Sequence, residues 1–269
     1  MGNGEEYGSR FKTAVERNFD QSASIYDRFE EQHHLFETLT RRQLELIEPS
    51  QPERILDVGC GTGISTLALQ KTLAARSPNV YAIDISERML LLARERCRDI
   101  PGVYFVRGDA ERLSEYFREA FDAIFYTASV FLLPKFCDSL RQASRLLLPE
   151  GVLSISFYEG LFDEIQEEAL PKAFPEMKYQ YGTVPYDELV SCLDSIAELK
   201  TTQVDYRFEV NRAFLFDFLS IPAQSAGLFP KLSYMDRIPK VRELCDGLAE
   251  KVSPLFMGWK FLISRKRPS

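Results

Sequence analysis

The sequence predicts an α/β fold built on a parallel, doubly wound sheet, on three observations. Short apolar runs of strand length alternate with helical stretches from Glu53 to Ser156. The first of these, Arg54-Ile55-Leu56-Asp57-Val58, is a short apolar run of the kind found in a buried parallel strand. It then turns directly into a helix through three alternate glycines, Gly59, Gly61 and Gly63, and that strand-turn-helix join suits an anionic ligand.

The elements follow in order. From Phe11 to Ile47, Phe19, Ala23 and Tyr26 and then Leu35, Leu39 and Leu46 recur at near-helical spacing among charges, which predicts two helices with a break. These form a helical preface over residues 1–50. Pro49 and Pro52 punctuate the chain before a first strand at Arg54–Val58. A helix over Ile64–Leu73, a strand at Val80–Asp84 and a helix over Glu87–Cys97 with Ser86 as N-cap come next. Strands at Val103–Val106 and Phe121–Phe125, a helix over Phe136–Leu146 and a strand at Gly151–Ser156 complete a core over residues 51–158. Past Tyr158 the rhythm breaks. Gly160–Thr183 is rich in Glu, Phe and Pro, and Asp187–Ala197 has helical character, so residues 159–200 read as an inserted cap. Residues 201–269 return to strands at Gln203–Val210 and Gly258–Ile263, with a helical insertion between Arg212 and Glu250.

Composition narrows the class. A chain of 269 residues with 45% hydrophobic content supports one domain with insertions. A net charge of −7 argues against an extended nucleic-acid surface. Cys60, Cys97, Cys137, Cys192 and Cys245 have no CxxC spacing, which predicts reduced thiols, no zinc site and a cytoplasmic setting. The N-terminal residues read as untargeted, and no apolar run approaches the roughly 18–20 residues that span a bilayer. Neither nucleic acid nor membrane is expected as a partner.

The chemistry concentrates in Ile55-Leu56-Asp57-Val58-Gly59-Cys60-Gly61-Thr62-Gly63. A dinucleotide site would want GxGxxG, but counting from Gly59 or Gly61 the last position falls on Ile64 or Thr66. Asp84 ends the second strand, where a carboxylate accepts hydrogen bonds from vicinal ribose hydroxyls, and both nucleoside-cofactor readings predict it. Asp57 at the end of the first strand and Gly108-Asp109-Ala110 after the third separate the two readings.

Together, the DVGCGTG core, Asp84-Ile85-Ser86 and Gly108-Asp109-Ala110 resemble the class I S-adenosylmethionine-dependent methyltransferase family over roughly Glu53 to Tyr158. The fold expected is then Rossmann-like: a seven-stranded mixed sheet with its last strand antiparallel, helices on both faces, a helical N-terminal lid and an inserted cap. The resemblance implies S-adenosylmethionine as cofactor. It places Gly59, Gly61 and Gly63 along the methionine part, Asp84 at the ribose, Ile85 and Met89 on an adenine face, and Asp109 and Ala110 at the adenine edge, and counts Asp57 and Cys60 among the cofactor-binding residues. Thr127 and Ala128, after the fourth strand, would flank the sulfonium and the acceptor's entry. Upstream, Phe19-Asp20-Gln21-Ser22-Ala23-Ser24-Ile25-Tyr26-Asp27 is similar to the N-terminal helix of biotin- and quinone-pathway methyltransferases, the malonyl-carrier-protein methylesterifying type included. That likeness implies a helix closing over the cofactor, with Tyr26 as its lid residue.

Plainer roles stand beside these. Asp57 can brace the loop through backbone or side-chain donors, Asp109 can simply form a turn, and Tyr26 can be core. His33 and His34 are adjacent, so they point apart and cannot readily form a metal pair. With Tyr26 they are the candidate bases should the first helices fold over the pocket, and surface residues otherwise. Phe214, Phe216, Phe218 and Tyr234 are candidate walls of an apolar acceptor pocket. The expected activity is methyl transfer to a small or acyl-carrier-bound acceptor, with orientation supplying most of the rate. The fourth strand runs into Tyr126-Thr127-Ala128-Ser129, not the Asn/Asp-Pro-Pro-aromatic signature of exocyclic-amine enzymes. A non-catalytic nucleoside-binding sensor or scaffold, or an NAD-dependent oxidoreductase, remain the alternatives.

Overall fold

The computed structural model describes residues 2–48, 52–118, 120–177 and 184–268. Pro49 and residues 178–183 of the expected cap lie outside them. The chain opens with α1 (Gly2–His33) and α2 (Leu35–Ile47). The expected break falls at His34, whose φ of 51° is left-handed and cannot continue a right-handed helix. The buried Glu30 carboxylate accepts hydrogen bonds from the backbone N–H groups of Phe36 and Glu37, at 2.9 and 2.8 Å, and so caps the start of α2.

Strand and helix then alternate: β1 (Arg54–Val58), α3 (Ile64–Thr72), β2 (Asn79–Asp84), α4 (Glu87–Arg96), β3 (Val103–Arg107), α5 (Leu113–Tyr116), β4 (Phe121–Thr127), α6 (Phe136–Leu146) and β5 (Leu147–Phe162). The remainder comprises α7 (Ala169–Ala173), α8 (Tyr186–Asp194), β6 (Leu199–Glu209), α9 (Arg212–Ser220), α10 (Pro222–Leu228), α11 (Tyr234–Lys251) and β7 (Phe256–Lys266). One seven-stranded sheet has the order β3-β2-β1-β4-β5-β7-β6. The first five strands are parallel, and β7 runs antiparallel to both its neighbours, as expected. In β1, Leu56 lies opposite Tyr81 on one side and Ile124 on the other. The strand order reverses between β1 and β4, and that reversal opens a crevice at the strands' carboxyl ends.

Alternation along β1 fixes the two layers. Ile55 packs with Leu44, Ile47 and Leu69 of α2 and α3, while Leu56 packs in the cluster holding Leu140 and Leu193 of α6 and α8. Successive strand residues face opposite ways, so helices cover both faces. A further cluster joins the far end of β5 and β7 to α9 and α11 through Trp259, Phe218 and Leu244. Among the described residues no helix is long and apolar enough to cross a membrane.

Two expectations change. Strand β5 does not stop at Ser156 but runs to Phe162, because β7 offers it a partner along the whole length, ending in Phe162 opposite Phe256. The core therefore extends past the expected boundary at residue 158. The five cysteines are not all free: Cys137 on α6 and Cys192 on α8 are bonded, with their Cα atoms 5.9 Å apart. Packing of α8 against α6 brings them together, a tertiary contact with no local spacing signal. Cys60, Cys97 and Cys245 are free and buried.

Candidate active site

The crevice is built by backbone ties between the first two strand ends. The amides of Gly59 and Cys60 donate to the Ile83 carbonyl at 2.8 and 3.2 Å. The Asp84 carboxylate accepts from the Gly61 amide at 2.8 Å and from the Ser86 amide at 2.9 Å. Burial raises its pKa, against the pull of these N–H groups. Ser86 caps α4 as expected, accepting from Met89 N at 3.0 Å, and its hydroxyl donates to Asp20 of α1 at 2.5 Å. The helix α1 is thus tied to Asp84 through one serine.

The three glycines divide their work. A Cβ on Gly61, at φ 53°, would meet no heavy atom within 4 Å, so open space lies beside it. A Cβ on Gly59 would come within 2.6 Å of Ser129 Cβ, and one on Gly63 within 3.0 Å of Ala93 Cβ. Those two glycines permit close packing of the β4 loop and of α4, and Gly63 is not on the wall of the crevice.

On the opposite side, Asp109 accepts from the Glu111 amide at 2.9 Å and receives Lys12 Nζ of α1 at 2.6 Å. Lys12 also pairs with Glu111. Burial works against the charge of Lys12, but the two carboxylates outweigh it and raise its pKa. At the end of β4, the Thr127 hydroxyl donates to Gln43 of α2 at 2.8 Å, and the Ala128 amide donates to Ser156 Oγ at 2.9 Å.

Most expected cofactor residues meet on this one wall. Gly59 and Gly61 follow β1; Asp84, Ile85 and Met89 follow β2; Asp109 and Ala110 follow β3; Thr127 and Ala128 end β4; Tyr26 comes from α1. Asp57, Cys60 and Gly63 do not line it. Asp57 is fully buried beneath the loop, accepting from Ser65 Oγ at 2.6 Å and Thr66 Oγ1 at 2.7 Å. Burial pushes its carboxyl up to about 6, although the two hydroxyls pull the other way. The structure gives it the bracing role. Cys60 is buried against Ala82 and Leu90. Of the candidate bases, only Tyr26 reaches the site. His33 Nε2 is held 2.9 Å from Asp217 beside Phe29 and Phe214, and His34 sits exposed near Glu37.

Sequence reasoning missed Lys12, Val15, Phe19 and Ser129 on the wall. Lys12, Val15, Phe19 and Tyr26 recur at helical intervals, a signal that was available, whereas Ser129 carries none. With α1 docked, the crevice is a narrow slot of about 90 Å³.

A second cavity of about 350 Å³ adjoins the slot and shares Val15, Phe19, Tyr26, Ala128 and Leu132 with it. It continues between α1, α10 and β7, where Phe36, Phe218 and Trp259 line it. Of the four expected acceptor-pocket residues only Phe218 is on its wall. Phe214 packs on Phe29 and His33, Phe216 lies under the Arg242 guanidinium, and the Tyr234 hydroxyl donates to the Ser220 carbonyl.

A family model described as a methyltransferase domain matches residues 55–151, the stretch that supplies the slot's floor. Over that stretch the chain is similar to the class I S-adenosylmethionine-dependent methyltransferases. The chain is 31% identical over 169 residues to a malonyl-[acyl-carrier protein] O-methyltransferase of Halalkalibacterium halodurans, a match that takes in 58% of this chain and spans 60% of that relative's length. It is 28% identical to malonyl-[acyl-carrier protein] O-methyltransferase 1 of Ilyobacter polytropus, over 80% of this chain and 79% of the other. The crystal structure of the [4+2]-cyclase SpnF superimposes with a TM-score of 0.58 at 21% identity, covering 87% and 81% of the two chains, a likeness of fold.

The slot fits S-adenosylmethionine, the cofactor of the methyltransferases to which this chain is similar. A buried carboxylate at the end of β2 keeps lone pairs beyond those used by Gly61 and Ser86, as two hydroxyls require. Gly61 leaves open space where a side chain would stand.

Proposed function

We propose that this chain transfers the methyl group of S-adenosylmethionine to a small-molecule or carrier-bound acceptor seated in the aromatic cavity. The observation that carries this reading is the wall common to slot and cavity, formed by Val15, Phe19, Tyr26, Ala128 and Leu132. Two ligands placed on either side of it meet where Ala128 follows β4. Malonyl-carrier methyltransferases among the relatives support an acyl-carrier-bound acceptor as one form of the substrate.

When bound, the cofactor supplies an electrophilic methyl group on a sulfonium. The protein's part is to bind, align and exclude water. Asp84 accepts the ribose hydroxyls, Ile85 and Met89 flank the adenine face, and Asp109 and Ala110 stand at its edge. Gly59 and Gly61 border the methionine part, with Asp57, Cys60 and Gly63 shaping the loop from behind. Thr127 and Ala128 border the junction. Tyr26, stacked on Phe36 at 4.6 Å, separates the two chambers. Burial, with the charges of Glu30, Asp84 and Asp27, holds the Tyr26 phenol well above its usual pKa. It stays protonated at neutral pH and serves as a hydrogen-bond donor, not a base. His33, held by Asp217 off both walls, is not positioned to take a proton.

Orientation is then the main source of rate. Holding two reactants in line is worth up to roughly 7–11 kcal/mol, more than the two to four powers of ten a general base typically adds. The compartment we infer from the free, buried thiols of Cys60, Cys97 and Cys245 is the cytoplasm, with the Cys137–Cys192 bond the one feature that a reducing compartment does not favour.

Titration calorimetry with S-adenosylmethionine, S-adenosylhomocysteine and NAD tests the reading. The first two should bind in the micromolar range and lose at least about tenfold in affinity in Asp84→Ala, since hydrogen bonds to a charged group contribute about 1.5–3 kcal/mol. Binding of NAD alone would overturn it.

A further inference from the structure

The aromatic cavity is distinctive in what its wall lacks. Among the described residues that line it there is no Lys, Arg, His, Asp or Glu. Its polar side chains, apart from aromatic ones, are Asn18 of α1 and Gln224 of α10. The two helices are tied where the Ala223 amide donates to Ser22 Oγ at 3.1 Å, one helical turn beyond Asn18 and one residue before Gln224. Neither the Asn18 nor the Gln224 side chain hydrogen-bonds another described residue. Each unused amide offers both donor and acceptor groups.

We infer that the methyl acceptor is an uncharged, largely apolar molecule, held by aromatic walls and recognised through a hydroxyl or carbonyl group by the side-chain amides of Asn18 and Gln224. This deepens the reading above and rests on it. A carboxylate moved into such a cavity away from the sulfonium, without a cation or a full set of donors, loses several kcal/mol of hydration that no lining side chain returns. The cation at the neighbouring slot, Lys12, is already held by Asp109 and Glu111. An amide pair, in contrast, discriminates by hydrogen-bond pattern and is indifferent to charge balance. A volume of about 350 Å³ lies within the roughly 300–1,000 Å³ of small-molecule sites and admits a fused-ring or medium acyl group. The carboxylate-bearing acceptors named for relatives are therefore not the chemistry this cavity selects.

A matched pair of probes tests this. 2-Naphthol and 2-naphthoate share one ring system and differ in charge at neutral pH. Calorimetry on the full chain, with and without S-adenosylhomocysteine, should show 2-naphthol binding at least about tenfold more tightly than 2-naphthoate. Asn18→Leu and Gln224→Leu should each weaken 2-naphthol severalfold while leaving S-adenosylhomocysteine binding and the melting temperature unchanged. Gln224→Lys should shift the preference toward 2-naphthoate. Equal or tighter binding of 2-naphthoate by the wild type, or no saturable binding of 2-naphthol, would overturn the inference. Failure of S-adenosylhomocysteine to bind would instead overturn the methyl-transfer reading, and the naphthol preference measured without it still decides this one.

Discussion

Lys12 Nζ and Asp109 Oδ2 are 2.6 Å apart although 97 residues separate them in the chain. That pair, reinforced by Glu111, pins α1 across the end of the slot that follows β3. With α1 in place the slot's 90 Å³ falls short of the roughly 300 Å³ at which small-molecule sites begin, so cofactor exchange is expected to require α1 to move.

Removing the pin should therefore change exchange rates. Lys12→Met keeps the apolar stem and loses the charge, and a partly exposed pair of this kind contributes about 1 kcal/mol. Stopped-flow measurements should show S-adenosylhomocysteine leaving about fivefold faster, with the wild-type rate rising with salt and the variant's rate insensitive to it. Identical, salt-insensitive rates in the two proteins would remove the latch.

Gly59 and Gly61 should respond differently to one added methyl group. In Gly59→Ala the new Cβ meets Ser129 at 2.6 Å on a backbone with φ 74°, which costs about 1–3 kcal/mol and lowers the melting temperature. In Gly61→Ala nothing is struck, the φ of 53° costs about 1 kcal/mol, and the methyl occupies space beside the slot. Cofactor affinity should then drop by more than about tenfold while stability changes little. Equal stability losses in both variants would contradict this division.

Asp57 makes stability depend on pH with a definite sign. Its folded pKa of about 6 lies above the ordinary 3.8. Between those values the folded state holds a proton that the unfolded chain has released, so its contribution to stability falls as pH rises through the window. The change is on the order of 3 kcal/mol. Asp57→Asn has no such titration, so its stability relative to the wild type should rise from pH 4 to about 6.5 and level off above. Urea midpoints across that range check it, and a flat difference rejects it.

The bonded pair is countable. Protein unfolded without reductant should expose three reactive thiols, from Cys60, Cys97 and Cys245, and five after reduction. Ellman titration reads both numbers directly. Five thiols before reduction would return Cys137 and Cys192 to the reduced state expected from the sequence.

Local chemistry was legible in the sequence and tertiary docking was not. The turn through Gly59 and Gly61, the acid at Asp84 and the Ser86 cap depend on neighbours within a few residues, and each stands where spacing placed it. Asp57 and Gly63 belong to the same motif, but their side of the loop depends on Ser65 and Ala93 packing beneath. Lys12 and Phe19 join the wall only because α1 folds back over the sheet. The stripe on α1 announced a buried face without naming what it buries against. Cys137 and Cys192 were likewise readable as residues but not as partners.

One helix roofs two chambers, and it is joined to the rest of the chain through a single left-handed residue, His34. Shared roofing couples the two chambers: a rigid displacement of that helix about His34 would widen both at once, so neither can be opened independently of the other by moving it.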